Sequence, residues 1–168
     1  MTAKTAFDLI FRRAVTTGSA TPLDIGVSDG RIAAIAPRLE SVAREIDLDG
    51  KLLLPGFVDT HIHLDKACLL GRCGHHHGSV SEAIKAVAAM KRDFTVEDVY
   101  ERGARVLERA IVAGTTRMRT HVEIDPRIGL RGFKALKALK RDYAWAIDLS
   151  LCVFPQEGLT NDPAPRSC

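Results

Sequence analysis

The sequence has no long apolar run. A helix that crosses a bilayer needs roughly 20 apolar residues, and no stretch of the 168 provides them, so no membrane span is expected. No signal peptide is expected either, since the first 11 residues have neither a long apolar centre nor a small-residue cleavage site. Cysteine is sparse. Cys68, Cys73, Cys152 and Cys168 form no CxxC pair and are too few to staple a chain of this size. That pattern fits reduced thiols in a cytoplasm. One-sided charge is also absent. The 24 basic and 21 acidic residues are mixed along the chain for a net +3, so nucleic acid is not an expected partner.

What remains is the composition of a globular domain, 46% apolar and 27% charged. Residues 1–54 read as a small β-domain. Apolar runs at 6–12, 23–27, 31–35, 46–48 and 51–54 are separated by turns, and Asp29-Gly30 and Asp49-Gly50 both read as hairpin turns because glycine readily takes positive φ. The character changes at Pro55-Gly56. Over residues 55–161 strands and helices alternate: a strand at 57–64, a Gly- and His-rich loop at 71–78, helices at 81–92 and 95–113, a strand at 115–124, a helix at 129–141 and a strand at 143–154. Thr95 is placed as an N-cap and Gly114 as a stop. This α/β alternation predicts right-handed βαβ units and a parallel sheet. Residues 162–168, with two prolines, read as an irregular tail.

The chemistry concentrates in residues 55–66, PGFVDTHIHLDK. His61 and His63 lie two apart on a strand, where period-two geometry sends both rings to one side. Two imidazoles so placed can share a metal ion, with other ligands arriving from later strands. A bare HxH also suits two polar residues on the wet face of an edge strand. Here the pair ends an apolar strand ahead of a long loop, which is where barrel sites sit.

These residues resemble the first-strand signature of the metal-dependent amidohydrolase superfamily. HIHLD (61–65), RTHVEID (119–125) and VFPQEG (153–158) are similar to its cytosine deaminase-like branch, which includes aminohydrolases acting on triazine rings. The resemblance covers about residues 7–161. It implies an α/β fold in which 55–161 form about three strands of a (β/α)8 barrel and 1–54 the first strands of a flanking β-sandwich. Such a barrel takes about 250 residues, so the expected architecture is truncated. The resemblance further implies His61 and His63 as ligands of one divalent ion, iron or zinc, and Gln156 as a hydrogen-bonding partner of a pyrimidine amide edge. The implied reaction is hydrolytic deamination or amide cleavage of a small nitrogen heterocycle. The family's remaining ligands, histidines on strands five and six and an aspartate on strand eight, are expected downstream of residue 168, as is the glutamate that shuttles the proton. The isolated chain is therefore expected to be inactive and to self-associate or pair with a complementary carboxy-terminal half.

Other residues carry more than one reading. Lys66 is expected to pair with Asp65 or another carboxylate, or to meet a polar substrate group. His121, Glu123 and Asp125 share one face of their strand and are expected to line the pocket and orient the ligands from behind, or to be bonded within the core. Val58, Ile62, Met118, Val122, Leu149 and Leu151 are expected to face the barrel interior. Cys68 and Cys73 with His75, His76 and His77 suggest a Cys/His zinc-binding module, although the spacing fits no standard finger and Gly71, Gly74 and Gly78 favour a mobile loop. A non-catalytic binding or regulatory fragment is the remaining alternative.

Overall fold

The computed structural model describes residues 7–40, 42–72 and 79–156. The chain divides at the Pro55–Gly56 step into two compact units, Met1–Pro55 and Gly56–Cys168.

The first unit is a four-stranded sheet. Its strands are β1 (Leu9–Thr16), β2 (Ser19–Ser28), β3 (Arg31–Ala36) and β4 (Arg44–Asp47), in the order β3-β2-β1-β4. β2 and β3 form the expected hairpin. Ser28 pairs with Arg31 across the two-residue Asp29-Gly30 turn, whose φ values of 52° and 69° match the twist of the strands it joins. The second Asp-Gly does something else. β4 runs parallel to β1, and beyond the turn Leu52 continues alongside the same strand by bridging Val15 in parallel. Asp49 and Gly50 also take positive φ, but the Gly50 N–H donates to the Arg13 carbonyl at 3.0 Å. The turn is therefore an excursion anchored on β1, and no hairpin forms there. A buried carboxylate locks the sheet: Asp24 accepts the backbone N–H groups of Arg13 (3.2 Å) and Leu39 (3.1 Å) and pairs with the Arg12 guanidinium.

The second unit is a three-stranded sheet covered by helices. In chain order it comprises β5 (Phe57–Ile62), α1 (Val80–Met90), α2 (Val96–Val112), β6 (Thr115–Glu123), α3 (Arg131–Asp142) and β7 (Asp148–Phe154). The sheet order is β5-β6-β7, and both pairings are parallel. Thr95 caps α2 by accepting the Asp98 N–H at 3.1 Å. Gly114, at φ 92°, ends the helical segment. β7 is shorter than expected: Tyr143–Ile147 continue the end of α3, with the N–H groups of Ala146 and Ile147 both donating to the Tyr143 carbonyl.

The core fills the space between the sheet and α2 and α3. Val99 and Leu107 of α2 and Leu136 and Leu139 of α3 are fully buried, as is Val122 of β6. This settles the faces of the strands. Met118, Val122 and Leu149 are buried under the helices, and Ile62 and Leu151 pack against the same cluster. Of the six apolar residues expected to face the barrel interior, only Val58 lies on the open face, 61% exposed and lining a groove with Arg117, Arg119 and Ser150. Register explains the reversal: Arg117, Arg119 and His121 pair with Asp148, Ser150 and Cys152, so the polar residues share one face.

Candidate metal centre

β5 delivers its histidines through an irregularity. Asp59 pairs with Met118 and Ile62 with Thr120, so three steps on β5 match two on β6. The Asp59 carboxylate accepts the His61 N–H at 3.0 Å across this bulge. The chain then enters a tight 3₁₀ turn, Leu64–Lys66, pinned by the buried Leu64 N–H donating to the Thr120 hydroxyl at 3.0 Å. His63 sits at the junction of strand and turn.

These constraints bring three imidazoles together. His121 of β6 stacks on His61 with ring centroids 4.1 Å apart, and His63 stands 5.3 Å from His61 and 5.4 Å from His121. One potential ligand atom from each lies within 4.8 Å of the others. The buried Nδ1 atoms of His63 and His121 have no hydrogen-bond partner among the described residues. Burial, with the nearby charges of Lys66, His121 and His61, pushes the His63 pKa down to about 4. The His63 ring is therefore neutral at physiological pH, with a lone pair to offer. Three clustered imidazoles, two of them with a buried nitrogen left unbonded, suit a borderline ion such as zinc or iron, so the residues present fit one divalent metal.

Beside the histidines lies a chain of buried charge. Glu123, 1% exposed, takes the Lys66 ammonium on Oε2 at 2.8 Å and the Lys91 ammonium on Oε1 at 2.9 Å. Lys66 thus finds a carboxylate partner as expected, though on β6 and not in Asp65. It also donates to Gln156 Oε1 and lies 4.9 Å above the Phe154 ring. Gln156 is thereby held at the end of β7. Asp125 takes the second of its two expected roles, bonding within the fold. Its carboxylate pairs with Lys91 and accepts the N–H groups of Arg127 (2.7 Å) and Ile128 (3.0 Å), so it closes the turn after β6.

Three further residues support the site. Asp65, fully buried, accepts the Glu123 N–H at 2.8 Å and places its other oxygen 3.9 Å from His63 Nδ1. Arg102, 1% exposed, donates to the carbonyls of Asp65 (3.1 Å) and Ala67 (2.7 Å), which fixes the turn after His63. Lys91 follows α1 and carried no sequence signal. Arg102 did carry one: it falls three residues after Val99 and five before Leu107, on the apolar face of α2. Cys73, His75, His76 and His77, the remainder of the suggested Cys/His module, lie outside the described residues, while Cys68 is exposed and free.

Residues 44–143 match the amidohydrolase family. The chain belongs to that family. Its members use a divalent metal, which agrees with the donor set just described. Over 162 residues this amidohydrolase chain is 29% identical to N-isopropylammelide isopropyl amidohydrolase of Pseudomonas sp. (strain ADP), covering 93% of the chain and 40% of that relative. Among solved structures it is similar to 5-methylcytosine deaminase from Klebsiella pneumoniae liganded with 5-fluorocytosine, at 31% identity and a TM-score of 0.79, covering 89% of this chain and 37% of that one. It is also similar to N-isopropylammelide isopropylaminohydrolase from Burkholderia multivorans, at 28% identity and a TM-score of 0.78, covering 93% of this chain and 40% of that one. The chain therefore spans about two fifths of the length of these relatives. No helix among the described residues is long and apolar enough to cross a membrane.

Proposed function

We propose that this chain contributes the metal-binding and ring-binding edge of a hydrolase that cleaves non-peptide C–N bonds in a small nitrogen heterocycle, as in deamination of a pyrimidine or triazine. The observation that carries this reading is the convergence of His61, His63 and His121 beside a lysine-held amide, Gln156. Residues 1–54 then act as the first strands of a flanking sandwich and 55–161 as the first units of a (β/α)8 barrel.

His61 and His63 are the proposed protein ligands of one zinc or iron ion. His121 stands where it can complete or brace that set. A divalent ion, when bound, supplies Lewis acidity and a water-derived nucleophile at neutral pH. Gln156 and Lys66 orient the ring, and Phe154, edge-on to His63 with centroids 5.1 Å apart, gives the pocket an apolar wall. None of these side chains is assigned the proton transfer to the leaving nitrogen. In this reading that step belongs to groups on further strands of a longer chain or a partner.

The test is metal binding. Zinc titration of the purified chain, followed by calorimetry and elemental analysis, is expected to show one site that His61→Ala and His63→Ala each weaken at least tenfold. Binding that survives the double variant and disappears on replacing His75 to His77 would move the site to the loop and end this proposal.

A further inference from the structure

Thr120, fully buried on β6, holds the chain on both sides of His63. On one side its backbone is the register partner of Ile62, where pairing between β5 and β6 resumes after the bulge. On the other side its hydroxyl accepts the Leu64 N–H at 3.0 Å. The same hydroxyl donates to the carbonyl of His121 at 3.2 Å. His63 stands between Ile62 and Leu64, and His121 follows Thr120 directly. Leu64 opens the 3₁₀ turn, and the first N–H groups of a helical turn have no partner inside it. The pairing of β5 with β6 ends at Ile62, so a side-chain oxygen takes over the hold that the strand ladder gave one step earlier.

From this arrangement we propose that Thr120 is the positioning residue of the three-imidazole centre, setting His63 against His121. The proposal rests on the metal-binding reading and adds the residue that shapes the site. Thr120 acts through two backbone groups and is not itself a ligand. The two rings it relates stand 5.4 Å apart by their centroids. With the backbone fixed at Ile62 and at Leu64, the His63 ring keeps only its own side-chain rotations. Asp65 and Arg102 hold later parts of the turn, through the Glu123 N–H and the carbonyls of Asp65 and Ala67. The Leu64 bond is the hold next to the ligand. Valine matches threonine in shape but can neither accept the Leu64 N–H nor donate to the His121 carbonyl. It strands a buried donor, and the backbone beside His63 then shifts to find another partner. Serine keeps both bonds. A site of this kind needs its side chains held within about 0.5 Å of the productive arrangement, so the loss of the hold reads out in metal binding.

The test compares Thr120→Val with Thr120→Ser in the full chain. Zinc affinity is measured by competition with a chromophoric chelator, and visible absorption of the cobalt-loaded chain reports the coordination geometry. The valine variant is expected to bind zinc at least about tenfold more weakly, with altered cobalt bands, while the serine variant stays within about twofold of the wild type with its bands unchanged. Val99→Ala loosens the buried core on α2 and serves as the control for stability alone, so it is expected to keep the wild-type affinity. A valine variant with wild-type affinity and bands overturns the proposal, as does an alanine control that loses as much affinity as the valine variant. A second measurement needs no variant to fold. Zinc is expected to slow exchange of the Leu64 amide in the wild-type chain about tenfold more than it slows the Leu136 and Leu139 amides of α3, because opening the Leu64 bond opens the metal site. Equal slowing, or none, overturns the proposal while leaving zinc binding in place. A wild-type chain that takes up no zinc ends the metal reading and this proposal together.

Discussion

The carboxylate of Asp65 lies behind the ring of His63, with Oδ1 3.9 Å from Nδ1 and Oδ2 accepting the backbone N–H of Glu123 at 2.8 Å. One side chain therefore ties the turn after β5 to the end of β6 and stands where it can orient a ligand. A shift of about an ångström would close the bond from His63, the carboxylate–histidine arrangement that fixes a metal-binding ring. Replacing Asp65 by Ala is expected to leave a buried N–H unpaired, at about 1 to 3 kcal/mol of stability, and to weaken zinc binding 10- to 100-fold. Asp65→Asn keeps an acceptor for the Glu123 N–H, so it should recover much of the stability but not the metal affinity. Denaturant unfolding and zinc titration of both variants separate the two roles. Unchanged zinc affinity in both would show that Asp65 serves the fold alone.

Arg102 holds the same turn from the other side. Its guanidinium stacks 4.7 Å from the Phe94 ring, bonds Asp98 from Nε and an Nη, and gives two further N–H bonds to the carbonyls of Asp65 and Ala67. Arg102→Met fills the space with an apolar side chain but strands those carbonyls, so a loss of about 3 kcal/mol is expected in urea unfolding. Arg102→Lys should fare little better, because one ammonium cannot reproduce a planar fork. A lysine variant as stable as the parent would mean that charge alone matters here.

How much of this was legible in the sequence depends on the kind of signal. His61 and His63 stand two apart at the end of an apolar strand, so their spacing marked them as a pair, while the turn at Leu64–Lys66 sets where His63 sits. Thr95 and Gly114 bounded α2 through ordinary capping chemistry. The bulge between Asp59 and Ile62 left no mark, because a one-residue slip changes pairing and not composition. The strand faces were misjudged for a related reason. Alternation in TTRMRTHVE separates two faces without saying which one meets the helices, and in this sheet the apolar set meets them. The second Asp-Gly supplied the backbone freedom expected of it. What it joined depended on Leu52 returning to β1, a non-local choice.

The contact between α2 and α3 depends on a missing side chain. A Cβ at Gly103 would lie 2.6 Å from Leu139 Cδ1, and Leu139 is fully buried. Gly103→Ala gains up to about 1 kcal/mol of helix propensity and meets only the tip of a leucine, so a near-neutral effect is expected. Gly103→Val adds branched bulk that the packed interface cannot absorb, and a loss of about 1 to 3 kcal/mol should follow. Thermal unfolding of the two variants checks the contrast. A valine variant as stable as the alanine one would show that the helices can separate freely.

Acid should loosen the turn that follows β6. Burial alone would raise the Asp125 pKa, but the Lys91 ammonium and the N–H groups of Ile128 and Arg127 outweigh it and hold the carboxyl at about 2, below the ordinary 3.8. A folded-state pKa below the unfolded one means that the unfolded chain binds protons first as pH falls. The resulting stabilisation is fully present above about pH 4 and is lost as pH drops toward 2. The side chain is 9% exposed, so solvent screens the interaction little, and its size is on the order of 2 kcal/mol. Urea midpoints compared at pH 5 and pH 2.5 should therefore fall less in Asp125→Asn than in the parent chain, even though the variant starts lower. Asparagine still accepts the Arg127 and Ile128 N–H groups, which isolates the charge on Lys91 as the cause. Equal drops in the two proteins would show that another group governs the acid sensitivity.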